Sequence, residues 1–152
     1  MTISFKVIDN PDVNDITNIL AIERESFGSG ALNEYVVVPM MRYGKVFVAT
    51  DEADNAVASA YFMRNLNDID EAYLVSVAVL PAFRGQDVGT ELLRFGLDYL
   101  REIGIIRVRL TVDPANFNAL TVYREKLDFA VVDSSKDEYG EGEDRLIMAK
   151  EL

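Results

Sequence analysis

Residues 71–93 of the chain, EAYLVSVAVLPAFRGQDVGTELL, decide the fold that we expect. They open with an apolar, β-branched run, Tyr73–Val79, which is typical of a buried strand. Pro81 ends this strand, because proline has no amide with which to continue a sheet ladder. A basic, glycine-containing turn, Arg84–Thr90, follows, and residues 91–100 then carry apolar side chains at helical spacing. The stretch therefore predicts a strand, a turn and a helix.

This order of elements favours an anion-binding turn. Free backbone amides and the positive end of the helix dipole converge where such a turn enters its helix. A phosphate group is the ligand that we expect there. The alternative is a plain connector that uses glycine only for its backbone freedom, and the turn by itself leaves both interpretations open.

The composition indicates one ordinary globular domain. At 152 residues the chain is long enough for a proper core, and we expect a single domain over residues 1–152. Of the residues, 49% are hydrophobic and 27% are charged, as in typical globular proteins. The chain has no Cys, which excludes disulfides and thiol catalysis, and no His, which removes the commonest general base and transition-metal ligand. We therefore expect no metal, and proton chemistry falls to carboxylates, Tyr, Lys or water.

The charge restricts the partners. A formal net charge of −11 argues against nucleic acid, whose phosphates require a basic face, and suits a small cationic partner such as an amine. No apolar run reaches about 18 residues, and the N-terminus has no basic region followed by an apolar one. We expect a soluble, cytoplasmic protein that does not bind a membrane.

The rest of the pattern predicts an α/β (α+β) fold. Strands are predicted at residues 3–8, 45–50, 56–63, 105–112, 129–132 and 145–149, and helices between Asp12 and Phe27, over residues 32–43 and from Asn116 to Leu127. The strand–helix–strand unit over residues 73–112 predicts a parallel pair with a right-handed crossover, whereas the hairpins on either side must be antiparallel. The expected result is a three-layer sandwich, in which helices cover both faces of a mixed, mostly antiparallel, twisted sheet of about seven strands.

The turn resembles the acyl-CoA loop of the GNAT superfamily of N-acetyltransferases, which usually runs Gln/Arg-x-x-Gly-x-Gly/Ala. Arg84 and Gly89 match that pattern, and Asp87 stands where the first motif glycine is usual. A second stretch, Asn116-x-x-Ala119-x-x-x-Tyr123, resembles another motif of the family. That motif is often followed by Gly-Phe, where this chain has Asp128-Phe129. The order of elements agrees with a GNAT-like fold over nearly the whole chain.

The resemblance implies an acetyl-CoA-dependent N-acetyltransferase whose acceptor amine attacks the thioester directly in a ternary complex. Loop amides would hold the pyrophosphate, the central strand would pair with the pantetheine arm, and a backbone amide near Val77 would stabilise the oxyanion. The residues implied to bind acetyl-CoA are Val77, Ala78, Val79, Arg84, Gly85, Gln86, Asp87, Val88, Gly89, Thr90, Asn116 and Tyr123. The carboxylate of Asp87 would lie near the pyrophosphate, so we expect weakened but surviving binding.

The same resemblance assigns Tyr123 as the acid that protonates the departing thiolate, and Glu71 as a candidate base whose pKa would be raised by burial. Glu25, Glu34 and a water relay are alternative bases. The structural alternatives are a core role for Tyr123, an N-cap role for Asn116 and a solvated strand-edge position for Glu71.

The acceptor is expected to be a small amine or a peptide amine. Carboxylates cluster in the segments that would surround it: Glu34, Asp68, Asp70, Glu71, Asp137, Glu138, Glu141 and Glu143. They would attract a cation, although such runs usually form solvated faces. The rival interpretations are a non-catalytic acyl-CoA binder or sensor, an interaction protein that uses the same fold as a homodimer and, more weakly, a dinucleotide-binding fold.

Overall fold

The computed structural model describes residues 2–152. Its strands are β1 (Ser4–Ile8), β2 (Lys45–Thr50), β3 (Ala56–Arg64), β4 (Glu71–Val79), β5 (Arg107–Val112), β6 (Ala130–Ser135) and β7 (Arg145–Glu151). Its α-helices are α1 (Val13–Phe27), α2 (Glu34–Tyr43), α3 (Val88–Glu102) and α4 (Phe117–Thr121), and a π-helical turn, Val122–Lys126, continues α4. Short 3₁₀ turns, Gly28–Gly30 and Pro81–Phe83, follow α1 and β4.

The strands form one mixed sheet, as predicted. It is seven-stranded, with the order β1-β2-β3-β4-β5-β7-β6. β4 and β5 run parallel, and α3 is the crossover helix that a parallel pair requires. The β1–β2, β2–β3, β5–β7 and β6–β7 pairs are antiparallel. The predicted α/β class with a mixed, mostly antiparallel sheet is confirmed.

The residues group into two compact units. The first unit consists of the chain up to Met63 together with Val75–Tyr99, and the second consists of Arg64–Leu74 together with Leu100–Leu152. β4 contributes its beginning to the second unit and its end to the first.

In the first unit, helices cover both faces of the strands. Val46 of β2 belongs to a buried cluster with Ile19 of α1 and Met41 of α2. Phe47 points to the opposite face, because side chains alternate along a strand, and it packs edge-on against Tyr99 of α3 with ring centroids 5.4 Å apart. The predicted three-layer arrangement is confirmed for this unit.

The close packing of α3 depends on Gly96. A Cβ at this position would lie 3.2 Å from ring carbons of Phe47 and Phe62, which is tighter than an ordinary contact. A side chain would therefore push α3 away from the strands.

Helices α1 and α2 begin at capping residues. The side chain of Asp12 accepts a hydrogen bond from the N–H of Asp15, and the side chain of Asp15 accepts one from the N–H of Asp12, which completes a capping box. Asn33 caps α2 by accepting from the N–H of Tyr35. Pro39 lies inside α2, which remains helical because its buried face packs on the core.

The second unit is built on β5, which pairs with β7 over its whole length, from Arg107 to Val112. A parallel ladder joins Glu71–Tyr73 to Arg107–Arg109, so it covers the first three residues of the nine-residue β4. β6 pairs with the other edge of β7, and a register shift lies between Val131 and Asp133.

The helix after β5 differs from the prediction. The sequence predicts a plain α-helix from Asn116 to Leu127, but the N–H of Leu127 donates to the carbonyl of Val122 over 3.2 Å, five residues back. The last turn is therefore a π-turn. No sequence pattern indicated it, because buried residues three and four apart suit both kinds of turn.

Two boundaries near the deciding stretch also differ. β4 begins at Glu71 rather than Tyr73, because Glu71 already belongs to the parallel ladder. α3 begins at Val88 rather than after the predicted turn, because the carbonyl of Asp87 accepts a hydrogen bond of 2.9 Å from the N–H of Glu91.

Candidate active site

The turn between β4 and α3 is exposed and is folded around the end of β4. Nε of Arg84 donates to the carbonyl of Val79 over 2.9 Å, and the side-chain amide of Gln86 donates to the carbonyl of Ala82 over 3.2 Å. Gly85 has φ of +75°, in the left-handed region that favours glycine. The two long side chains therefore fix the backbone of the turn.

The first amides of α3 follow this turn directly. The earliest hydrogen bond of the helix runs from Glu91 to Asp87, so the N–H groups of Val88, Gly89 and Thr90 have no acceptor within the helix. The helix dipole adds partial positive charge at the same place. Amides arranged in this way bind phosphate groups.

Gly89 lets the start of α3 lie against β4. A Cβ there would lie 3.1 Å from Cγ2 of Val79, so a larger residue would move the helix start away from the strand end. The fit favours the predicted ligand, since a diphosphate needs close access to backbone amides.

Two aspartates replace motif glycines and take the backbone conformation of glycine. Asp87, in the loop motif, has φ of +61°, and Asp128, in the second motif, has φ of +60°. Asp is among the few residues that adopt this left-handed conformation with modest strain. The departures from the family pattern therefore preserve the backbone and add a carboxylate.

The middle of β4 contacts the core and helix α1. Val75 packs against the core cluster around Ile19, and Oγ of Ser76 donates to Oε1 of Glu23 in α1 over 3.0 Å. Ser76 adjoins Val77, near which an oxyanion-stabilising amide is predicted.

Glu23 is a buried carboxylate that the sequence analysis missed. Only 1% of it is exposed. Oε1 accepts from Ser76, and Oε2 accepts from the N–H of Leu32 over 3.1 Å. Within residues 2–152 no Lys or Arg forms an ion pair with it. The sequence does contain a signal for this buried position, because Glu23 lies four residues after Ile19 and so interrupts the apolar face of α1.

Glu71 is also buried, but arginines surround it. Nε of Arg109 donates to Oε2 over 2.8 Å, Arg107 lies 3.4 Å from the same oxygen, and Nδ2 of Asn65 donates to Oε1 over 3.0 Å. Burial raises the pKa of the Glu71 carboxyl, but the hydrogen bonds from Arg109 and Asn65 and the charge of Arg109 outweigh it, so the pKa lies below its usual value. The expectation of a raised pKa is wrong, and so is that of a solvated position. The role of Glu71 as a base stays a prediction.

Tyr123 lies in the π-turn, and its ring packs edge-on against Phe129 with centroids 6.0 Å apart. Burial raises the pKa of Tyr123 to about 12. The phenol therefore stays protonated near neutral pH and can donate a proton. A core role accounts for the ring contact, and an acid role remains compatible with it.

Asn116 has the capping role that the sequence offered as its structural alternative. Its Oδ1 accepts from the N–H of Ala119 over 3.2 Å at the start of α4. Contact with the cofactor stays a prediction.

A cluster of hydroxyls, which the sequence did not reveal, lies in the second unit. Oη of Tyr73 lies 3.2 Å from Oγ1 of Thr111 and 3.1 Å from Oη of Tyr139. Burial, as the largest cause, raises the pKa of Tyr73 to about 12. The guanidinium of Arg145 lies over the ring of Tyr139, 5.0 Å from its centroid. Strand β4 and the loop before β7 thus contact each other through the uncharged hydroxyl groups of Tyr73 and Tyr139.

The other carboxylates divide into exposed and paired groups. Glu25 and Glu34, the alternative bases, are exposed. Asp68 forms an ion pair of 3.2 Å with Arg107. The remaining predicted acidic residues are exposed: Asp70, Asp137, Glu138, Glu141 and Glu143. In the described part of the chain, no group of three or more acidic side chains is arranged to hold a metal ion, and no helix has the length and apolarity needed to cross a membrane.

Comparison with known proteins shows the relatives of this chain. The family model described as "Acetyltransferase (GNAT) family" matches residues 16–129. An N-alpha-acetyltransferase of Sulfolobus acidocaldarius is 29% identical over 150 residues, which cover 92% of this chain and 89% of that protein.

Solved structures show the same fold. The ribosomal-protein-S18-alanine N-acetyltransferase from Escherichia coli matches with a TM-score of 0.81 and 24% identity, over 98% of this chain and 94% of the other. A chain of the NatC complex bound to Gag peptide and CoA matches with a TM-score of 0.84 and 17% identity, over 100% and 99% of the two chains.

Proposed function

The chain belongs to the acetyltransferase (GNAT) family, and on that premise we propose that it transfers the acetyl group of acetyl-CoA to the α-amine of a peptide or protein N-terminus. The predicted resemblance to this family and the predicted class of enzyme, an acetyl-CoA-dependent acyltransferase, are confirmed. The observation that carries the choice of acceptor is the similarity to an N-alpha-acetyltransferase over nearly the full length of both chains.

The start of α3 supports the donor half of the proposal. The amides of Val88–Thr90 precede the first hydrogen bond of the helix, and Gly89 lets them lie against the end of β4. We assign them to the diphosphate of acetyl-CoA. One acyl-CoA-binding domain over residues 1–152 is part of this proposal.

The chemistry needs no His or metal from the chain. The neutral amine attacks the thioester carbon, the C–S bond breaks, and the thiolate takes a proton that we assign to Tyr123. The phenol of Tyr123 is protonated at neutral pH, as a proton donor must be. A cationic amino terminus also suits the formal net charge of −11, since acidic surfaces attract ammonium groups.

The test uses the whole chain, acetyl-CoA and two peptides that differ only in a free or a blocked N-terminus. Acetyl-CoA should raise the melting temperature, because a ligand that binds only the native state stabilises it. Free CoA thiol should appear with the free peptide alone, and mass spectrometry should place the acetyl group on the α-amine. Acetylation of an internal lysine would overturn the choice of acceptor. Binding without turnover on any amine would favour a non-catalytic acyl-CoA binder.

The carboxylate of Asp87 gives a sharper test of the donor site. Its backbone already has φ of +61°, so Asp87→Gly suits the turn and removes a negative charge beside the proposed diphosphate. We expect acetyl-CoA to bind about three- to tenfold more tightly, as measured by calorimetry. Unchanged affinity would show that the carboxylate does not act on the diphosphate. Asp128→Gly, the matched change in the second motif, is the control for general effects of glycine.

A further inference from the structure

Glu23 presents an energetic problem that its surroundings do not solve. Its carboxylate is 1% exposed, and burying a charge is costly unless a cation compensates it. Its two hydrogen-bond donors, the hydroxyl of Ser76 and the N–H of Leu32, are both neutral. An apolar side chain would continue the face of α1 without this cost. The cost of burying this charge therefore indicates that Glu23 has a role beyond packing.

Other buried polar groups lie in the same compact unit as Glu23. Among residues 2–152, the buried hydroxyls of Ser26, Ser59 and Tyr61 have no hydrogen-bond partner within 3.5 Å. Tyr61 lies close enough to Glu23 for the carboxylate to act on it. Burial is the largest cause of the raised pKa of Tyr61, Ser59 lowers it and Glu23 raises it. Buried hydroxyls without partners are where internal water binds. The surroundings of the carboxylate therefore include a polar group besides its two hydrogen-bond donors.

Ser76 connects this interior to the strand on which the reaction is expected. It is partly exposed, and it adjoins Val77, near which the oxyanion is predicted to form. A serine hydroxyl has one proton to give and two lone pairs, so it can receive a proton on one side while it passes its own to the other. Its proton already points to Oε1 of Glu23 over 3.0 Å.

We propose that Ser76 and Glu23 form the proton acceptor for the incoming amine, an inference that rests on the proposed function. The ammonium gives one proton to Oγ of Ser76 as the proton of Ser76 passes to the Glu23 carboxylate. The neutral nitrogen then attacks the thioester carbon. As the C–S bond breaks, the thiolate takes the proton assigned to Tyr123, and the second proton that the nitrogen loses restores the Tyr123 phenol. Glu23 returns its proton to solvent, so one proton is released per amide formed.

The first test is Glu23→Gln, which keeps the shape and can keep both hydrogen bonds. The Gln carbonyl can accept from Leu32, and the Gln amide can donate to Ser76. Because only the proton-accepting charge is lost, kcat should fall by on the order of 100-fold while KM for acetyl-CoA changes less than about twofold. An unchanged kcat would overturn the proposal. Glu102→Gln removes an exposed carboxylate from the end of α3 and is the charge-matched control.

The second test separates proton transfer from positioning. An α-amine has a pKa of about 8, so above that pH the nucleophile is already neutral and needs no acceptor. The defect of Glu23→Gln should therefore shrink from about 100-fold at low pH to a few-fold near pH 9.5. Tyr61 is the titratable group that the described structure places against Glu23, and its raised pKa keeps it neutral over this range. A defect that is constant with pH would indicate positioning alone and overturn the proposal.

Ser76→Ala tests the proton relay from Ser76 to Glu23 at the serine, and it remains informative if Glu23→Gln does not fold. It should lower kcat by about tenfold or more, with the same recovery at high pH, because the link between amine and carboxylate is broken. Full activity of Ser76→Ala would exclude this relay. Acetyl-CoA should still raise the melting temperature of each variant, which shows that the donor site is intact.

The failures of the two proposals are distinguishable. If the wild-type chain acetylates no α-amine, the proposed function fails whatever the variants do. If it acetylates the free peptide and Glu23→Gln matches it at every pH, the proposed function stands and the relay is wrong. A parallel Glu71→Gln variant shows whether the predicted base at that position contributes instead.

Discussion

Two buried glutamates, Glu23 and Glu71, differ in the groups that face them. Glu71 is 5% exposed and Glu23 is 1% exposed, so burial does not separate them. The guanidinium of Arg109 lies 2.8 Å from Glu71, whereas Glu23 faces neutral groups: the hydroxyl of Ser76, the N–H of Leu32 and the phenol of Tyr61. Burial alone therefore does not identify a general base.

The surroundings give the two carboxylates different tendencies to accept a proton. An ion-paired carboxylate is stabilised as an anion, so it holds neighbouring cations in place and gains little by taking a proton. A carboxylate that faces only neutral donors loses much less on protonation. We therefore regard Glu71 as an anchor for strand pairing and Glu23 as the better candidate for proton transfer.

The largest expected effect on stability is that of Glu71→Ala. The change leaves Arg109 and Asn65 without their acceptor, and removing one partner of a buried pair costs about 3 kcal/mol of unfolding free energy. Urea denaturation measures the loss. Glu151→Ala removes another carboxylate partner of Arg107. The Glu151 side chain is 69% exposed, so this change should cost less than about 1 kcal/mol. Equal losses for the two variants would contradict the anchor role.

The second-largest expected effect is the pH dependence of the stabilisation that Glu71 provides. The pKa of Glu71 is lowered by folding, so its stabilising effect is complete above the unfolded value of about 4.3 and is lost as the pH falls through the folded value. Urea denaturation at pH 7 and pH 3 should therefore show a gap between wild type and Glu71→Gln that narrows in acid. A gap of constant size would mean that the ion pairs do not lower the pKa.

The smallest effect on stability is expected for Glu23→Gln. The N–H of Leu32 keeps an acceptor in the Gln carbonyl, and the hydroxyl of Ser76 can accept from the Gln amide. An amide is also less costly to bury than a charge. The unfolding free energy should therefore change by less than about 1 kcal/mol. The same urea titration measures it. A loss of several kcal/mol would show that the charge of Glu23 is needed for folding, and the contrast with Glu71 would disappear.

The stretch 71–93 was enough to predict the central elements, because the information is local. A β-branched run, a proline stop and glycines at a turn each restrict the backbone at their own position. Arg84 and Gly89 in their spacing also identified the family, which is confirmed. The predicted homodimer stays a prediction.

The remaining features depend on contacts between distant parts of the chain. The pKa of Glu71 follows from Arg109, which is 38 residues away, and no local pattern reports that pairing. Asp87 looked like a defect in a glycine motif until its φ of +61° showed that it keeps the glycine conformation. Glu23 left a trace in the helical pattern, but its partner Ser76 lies 53 residues along the chain.

The π-turn after α4 has a consequence for how the second motif tolerates insertion and deletion. A turn of this kind holds one residue more than an α-helical turn, so Val122–Lys126 contains a surplus position. Deleting one residue there would restore regular α-helical winding, while the residues on either side of the turn keep the faces that they have now. A one-residue deletion should therefore be tolerated better in this turn than in α4, where it would rotate Asn116 by about 100° relative to Tyr123.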